Sequence, residues 1–267
     1  MNKTKTARSV NANPGIRVWY RKQIEKLVDT LKDSLAWWIP ATYRKGADAI
    51  LLQLAIDELR DYWTSSFAKS AESLAKRFTS RVNRTATNAI KQSFKAAGYN
   101  PPATFGFDVD WSKDKTVKNV LNSIRQTQVD LIKSIPQTEL DRVSGIVQRG
   151  VQDGRDLAYI KDELEKGFDI TKRRAKTIAI DQTQKATHAI NRERYKKAGI
   201  TEAIWVHVAG RKTSRQTHIR MHGKRFKLDG ADAGLYDSAV GRNVLPAECI
   251  NCRCSCRPVL PKNYFDL

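Results

Sequence analysis

The chain has 267 residues, 40% of them hydrophobic, with six tryptophans; that is enough apolar material for one large core or two smaller ones, and it excludes wholesale disorder. No apolar run approaches the roughly 20 residues that a membrane helix needs, and the basic start, Met1 to Val10, lacks the hydrophobic stretch of a secretory signal. The formal net charge of +20 is concentrated at the two ends, with 18 basic and 8 acidic side chains in residues 1–100, 10 and 12 in 101–170, and 20 and 8 in 171–267. This distribution points to a polyanionic partner, nucleic acid before membrane, and to binding that charge alone makes sequence-independent.

Residues 1–15 are polar and basic, end in Asn13-Pro14-Gly15, and read as a flexible arm. From Ile16 the apolar positions fall at helical spacing through Trp19, Tyr20, Ile24, Leu27, Leu31 and Leu35, and Pro40 is expected to stop the run. A second helical pattern passes through Leu52, Ile56, Leu59, Trp63, Phe67, Leu74 and Phe78, and continues toward Gly98. The helical region 16–100 gives way at Asn100-Pro101-Pro102 to a linker over 101–115. Its carboxylates Asp108, Asp110 and Asp114 lack the glycine and glutamate of a calcium loop and read as a solvated turn. Helical periodicity returns in region 116–170, broken at Pro136, and Thr171 is placed to cap a long basic helix that ends at Gly199.

Beyond Gly199 the pattern changes. Glu202–Val208 alternates and is rich in β-branched and aromatic residues, so it reads as a strand; Lys224–Leu228 is a shorter one. Residues 229–248 look like loop, and Ile250–Leu260 supplies a last strand. The expected fold class is α+β. A mainly α-helical N-terminal body of long helices carries a small C-terminal module, over 171–267, with a short antiparallel sheet.

All four cysteines, Cys249, Cys252, Cys254 and Cys256, lie within eight residues of that module, and His218 and His222 stand four apart upstream. Thiolate and imidazole are the ligands zinc prefers, and Cys-x-x-Cys is a spacing that grips one ion. Six donors exceed the four that one zinc needs. The spacing matches no standard finger, so buried thiols closing a small core, with a disulfide in oxidising conditions, and a redox role both stay open beside structural zinc. His188 and His207 read as packing or surface residues. The basic residues Lys172, Arg173, Arg174 and Lys176 on the long helix, with Arg211, Lys212 and Arg215 after the first strand, are the candidate contacts to nucleic acid. No phosphate loop, nucleophile elbow or paired carboxylate gives a positive case for an enzyme.

An ordered series of motifs carries a resemblance. It runs from Ile178-Ala-Ile-Asp-Gln-Thr-Gln-Lys185 through Asn191-Arg-Glu-Arg194, Ala198-Gly-Ile200 and Trp205. It continues with Ser214-Arg-Gln-Thr-His218, Met221-His-Gly-Lys224 and Pro246-Ala-Glu-Cys-Ile-Asn-Cys-Arg-Cys254. Over residues 178–258 this resembles the phage Mu protein F-like family of minor head (head morphogenesis) proteins. Where that family often has an acidic residue between the tryptophan and the histidine motif, this chain has Arg211. The resemblance implies metal ligands at His218, Cys249, Cys252 and Cys254, with His222 and Cys256 outside the pattern as reserves. It also implies a non-catalytic protein made in the host cytoplasm and placed in the virion, inside the head near the portal. Its partners would be portal protein, other head and scaffold proteins and, non-specifically, double-stranded DNA; no membrane and no small-molecule substrate are expected. Two other readings stay open: a metal-dependent nuclease using His218, His222 and Asn251, and a zinc-stabilised DNA-binding protein.

Overall fold

A computed structural model describes residues 5–43, 49–99, 114–155, 157–208 and 214–261. Four long helices come first: α1 (Pro14–Tyr43), α2 (Ala49–Ala96), α3 (Lys115–Gln152) and α4 (Leu157–Lys197). They are followed by β1 (Glu202–Val206), the short α5 (Gln216–Arg220), β2 (Arg225–Lys227), β3 (Leu235–Asp237), β4 (Arg242–Val244) and β5 (Ser255–Pro258). The chain is mainly helical, with short antiparallel sheets confined to its C-terminal region, as the sequence pattern implies. No helix among the described residues is long and apolar enough to cross a membrane.

The elements form two compact units that are not contiguous in sequence. One gathers residues 18–78 and 125–179, the other residues 1–17, 79–124 and 180–267, so that all four long helices contribute to both. The first is helical. Its buried positions on α1, Tyr20, Ile24, Val28, Leu31 and Leu35, recur every three or four residues, and Tyr20 packs on Phe78 of α2; Phe67 of α2, Val143 and Val147 of α3, and Leu164 and Phe168 of α4 are buried in the same unit. Two polar groups inside this core are paired. The Tyr20 hydroxyl donates to Gln128 at 2.9 Å, and Glu139, 1% exposed, is held by Arg142 and by the Thr171 hydroxyl. Thr171 therefore does not start a helix: α4 begins at Leu157 and runs straight through it. Pro40 and Pro136 likewise lie within α1 and α3. Each removes one backbone donor, a loss these long, well-buried helices absorb.

The second unit is built on a three-stranded antiparallel sheet in the order β2-β1-β5. Ala203 pairs with Phe226 on one side and Pro258 on the other, and Trp205 pairs with Cys256, which fixes the register. Alternation turns Ala203 and Trp205 into a core shared with Ile90, Phe94, Tyr195, Ile200 and Leu260. Both α2 and α4 end on a glycine at positive φ. At Gly199 (φ 74°) the Ile200 N–H reaches back to the Tyr195 carbonyl at 2.9 Å, and Gly98 does the same through Tyr99 and Phe94.

Two segments differ from the sequence expectation. Residues 5–13, expected as part of a flexible arm, are packed into this unit. Thr6 bridges Val259 beside β5, Ala7 and Val10 are buried, and Asn191 and Ser93 bond the carbonyls of Val10 and Arg8. Asn13 then caps α1, its side chain accepting from Gly15 and Ile16 N–H, with Pro14 as the first helical residue. The stretch 229–248, expected as loop, contains the β3–β4 hairpin, paired Leu235 to Val244 and Asp237 to Arg242. Three-residue strands are too short for alternation to show. Gly234 is obligatory there, since a Cβ would stand 2.3 Å from the Val244 carbonyl oxygen. The linker expected over 101–115, with Asp108 and Asp110, lies outside the described residues except at its end. Asp114 caps α3 through Thr116 and Val117 N–H.

Candidate metal centre

Four pieces of the second unit converge on one point. The end of β1 leads to His207, α5 carries His218, the β3–β4 hairpin carries Asp237, and the segment before β5 carries Cys249, Cys252 and Cys254. α5 is a single turn, and it places His218 on its buried side, 2% exposed, with the ring edge-on to Trp205 at 5.3 Å. The cysteine segment is shaped by two left-handed residues, Ala247 and Asn251, at φ 68° and 59°. Cys252 N–H closes a turn onto the Cys249 carbonyl at 3.0 Å, and α4 clamps that turn. Asp181 accepts from Asn251 N–H at 2.7 Å, and the Gln184 amide donates to the Arg253 carbonyl at 3.3 Å.

His218 Nδ1 lies 3.4 Å from the Cys252 sulfur and 3.6 Å from that of Cys254. Its Nε2 lies 3.0 Å from Asp237 Oδ2, and Asp237 is fully buried, its Oδ1 accepting from Ala239 N–H. His218, Cys252 and Cys254 bring their donor atoms within 4.8 Å of one another, the spread a single small cation can span. Cys249 groups instead with His218 and Asp237, while His207 Nδ1 stands 3.6 Å from Cys254 on the other side. All four cysteines are free thiols.

The electrostatics suit a cation. The hydrogen bond from Cys254, and then that from His218, pull the Cys252 thiol well below its ordinary value, against the effect of burial. Cys254 is pushed up in turn, first by the Cys252 thiolate and then by burial, so the pair gives up one proton easily and holds the other. The Cys252 contact, with burial opposing and Asp237 adding, raises the His218 imidazole. Burial raises the Asp237 carboxyl, but hydrogen bonds from Ala239, Thr217 and His218, in that order, outweigh it and leave it below its usual range. A dication taking the place of the shared proton would relieve all three buried groups together. The residues present therefore fit a metal such as zinc: two thiols and an imidazole converge, and a carboxylate fixes the ring from behind.

The remaining sequence candidates fall elsewhere. His222 follows the end of α5 in a turn, is exposed, and accepts from His207 N–H at 3.1 Å, so it shares no face with His218. Cys256 is in β5, buried against α4, and burial pushes its thiol up to about 12. Among the basic candidates, Lys172 pairs with Asp29 at 2.7 Å and Arg174 bonds Thr138 and Ser134. Arg173 bonds its own helix at the Asp169 carbonyl, Lys176 is exposed, and Arg215 holds the Ile250 carbonyl at 3.0 Å. Arg211 and Lys212 lie outside the described residues. Sequence reasoning missed His207, Asp237 and Asp181. Asp181 stood inside the motif series of the resemblance, whereas nothing in the local pattern marks Asp237.

A protein-family model described as Phage Mu protein F like protein matches residues 141–257, a little under half of the chain. The match starts earlier than the motif series, taking in the end of α3 and all of α4. A relative from Haemophilus influenzae, described as an uncharacterized protein, is 24% identical over 258 residues, covering 92% of this chain and 54% of the relative. The chain thus spans about half the length of the curated relative it matches. No solved structure matches it.

Proposed function

We propose that the protein is a non-catalytic minor head protein of a bacteriophage, incorporated beside the portal during procapsid assembly and retained inside the head against packaged DNA. The observation that carries this reading is the family match over residues 141–257, which contains His218 and all the cysteines of the cluster. The charge of +20 supports the DNA contact, because neutralising phosphates releases counterions whatever the sequence. Exposed Lys176 and Arg173 on α4 are among its contacts. Portal, head and scaffold proteins are the protein partners.

In this reading the cluster is a structural zinc site. His218, Cys252 and Cys254 hold the ion, His207 beside Cys254 is the fourth donor, and Asp237 orients the ring. Zinc would tie the end of β1, α5, the hairpin and the cysteine segment together, a task that suits a module whose strands are only three to five residues long. The test is co-sedimentation with portal protein and with linear DNA across a salt series. Binding to both at low salt, with the DNA interaction lost as salt rises, is expected; failure to bind either at low salt overturns the proposal.

One observation favours a second reading. A recess of about 350 Å³ opens on the cluster, lined by Arg215 and Arg253 beside Asn251, His207 and Ser214, and such a lining suits a phosphate. Metal-dependent DNA cleavage would use it. Plasmid nicking abolished both by chelator and by His218→Ala would establish that activity, and intact plasmid across divalent metals would remove it.

A further inference from the structure

The helical unit carries a surface unlike the rest of this basic protein. Contacts between Tyr20 and Phe78 and between Ser34 and Trp63 show that α1 and α2 run antiparallel. Between them is a groove of about 560 Å³ lined by Thr30, Ser34 and Trp38 of α1 and by Ala55, Glu58, Leu59, Tyr62 and Trp63 of α2. Its first and last lining residues on α1 are eight residues apart, or roughly 12 Å, about two turns of a docked helix. Two of the lining side chains are largely exposed, Trp38 at 44% and Tyr62 at 63%, as are Trp37, edge-on to Trp38, and Leu51 and Leu54, each one turn before a lining residue of α2. Exposed tryptophan and tyrosine lining a groove are the composition of a protein interface rather than of a solvated face.

Three carboxylates stand beside this patch, along with the exposed Lys26 one turn before Thr30. Glu58 lines the groove, Asp61 lies one turn further along the same face of α2, and Asp33 precedes Trp37 by one turn of α1. None of the three pairs with a cation among the described residues, whereas Asp57 and Asp141 nearby are both taken by Arg60. Three carboxylates without a cationic partner among the described residues make this face a poorer surface for DNA phosphates or an anionic membrane than for a cationic protein segment. A two-fold dimer through this face would set the carboxylates of one copy against those of the other.

We infer that the groove between α1 and α2 is a docking site for a basic amphipathic helix of another protein, whose apolar face covers Trp38, Leu54 and Tyr62 and whose lysines or arginines meet Asp33, Glu58 and Asp61. Recognition of this kind uses anchors at i, i+4 and i+7 from the partner helix, matched by the spacing of Ser34 to Trp38 and of Ala55 to Tyr62 on the groove walls. The inference stands apart from the metal centre and from DNA contact, and fails or holds independently of them.

The test uses the full-length protein and two fluorescently labelled 18-residue helical peptides with the same leucine face, one with lysine and one with glutamate at the flanking positions. Anisotropy titration is expected to show saturable binding of the lysine peptide, at least tenfold tighter than the glutamate peptide. The double substitution Glu58→Lys/Asp61→Lys is expected to reverse that preference, and Tyr62→Ala to weaken lysine-peptide binding about tenfold with an unchanged circular dichroism melt. Lack of saturation, equal affinity for the two peptides, or no change in the variants overturns the inference. So does sedimentation showing a dimer of the protein that Tyr62→Ala dissociates.

Discussion

The carboxylate of Asp237 lies 3.0 Å from Nε2 of His218, the ring nitrogen turned away from the cysteines. A proton held there by Asp237 leaves the lone pair on Nδ1 directed toward Cys252 and Cys254, as a metal ligand requires. Replacing Asp237 with Asn keeps the shape but removes the charge that fixes this tautomer. Zinc affinity should fall roughly 10- to 100-fold with stoichiometry unchanged. Competition with a chromophoric chelator measures it, and an unaltered affinity would remove Asp237 from the site.

The fourth donor is distinguished by substitution. Because His207 stands 3.6 Å from the ligand Cys254, while Cys249 groups with His218 and Asp237 and not with the other two cysteines, His207→Ala should weaken zinc binding more than Cys249→Ser does. In the cobalt-substituted protein Cys249→Ser should leave the thiolate charge-transfer intensity unchanged, and Cys252→Ser should roughly halve it.

His188 makes stability depend on pH. Burial lowers its imidazole to about 4 from the ordinary 6.5, so between those values the unfolded chain binds a proton that the folded chain refuses. Stability is then present above about pH 6.5 and is lost as pH falls toward 4, by about 3 kcal/mol at most. Urea unfolding of the wild type should show this loss over that window, and His188→Gln should flatten it.

The buried Glu139 of the helical unit depends on Arg142 and Thr171. Arg142→Met leaves that carboxylate without its counter-charge and should cost on the order of 3–5 kcal/mol. Arg142→Met combined with Glu139→Leu should recover most of the loss in thermal or urea melts.

The long helices were readable because their cores repeat over many turns: Tyr20, Ile24, Leu31 and Leu35 announce α1 unaided. Helix ends were less so. Pro40, Pro136 and Thr171 carry the local chemistry of boundaries, yet tertiary burial runs the helices past them. The cysteines and His218 stood out by residue type, and the structure brings His218, Cys252 and Cys254 together. His207 and Asp237 arrive from a strand end and a three-residue hairpin strand, 11 residues before and 19 after His218, and only the fold makes them neighbours. The packing of residues 5–13 was hidden for a similar reason. Two small apolar residues, Ala7 and Val10, give no periodic signal, and their partners lie beyond residue 250 and on α2 and α4.

The most direct measurement is the metal content of the full-length protein purified without chelator, paired with its melting temperature before and after chelation. A structural site made by His218, Cys252 and Cys254 predicts close to one zinc per chain, absent from His218→Ala, and a lower melting temperature once the ion is removed. Metal-free protein with four titratable thiols, and a melt indifferent to added zinc, would contradict it.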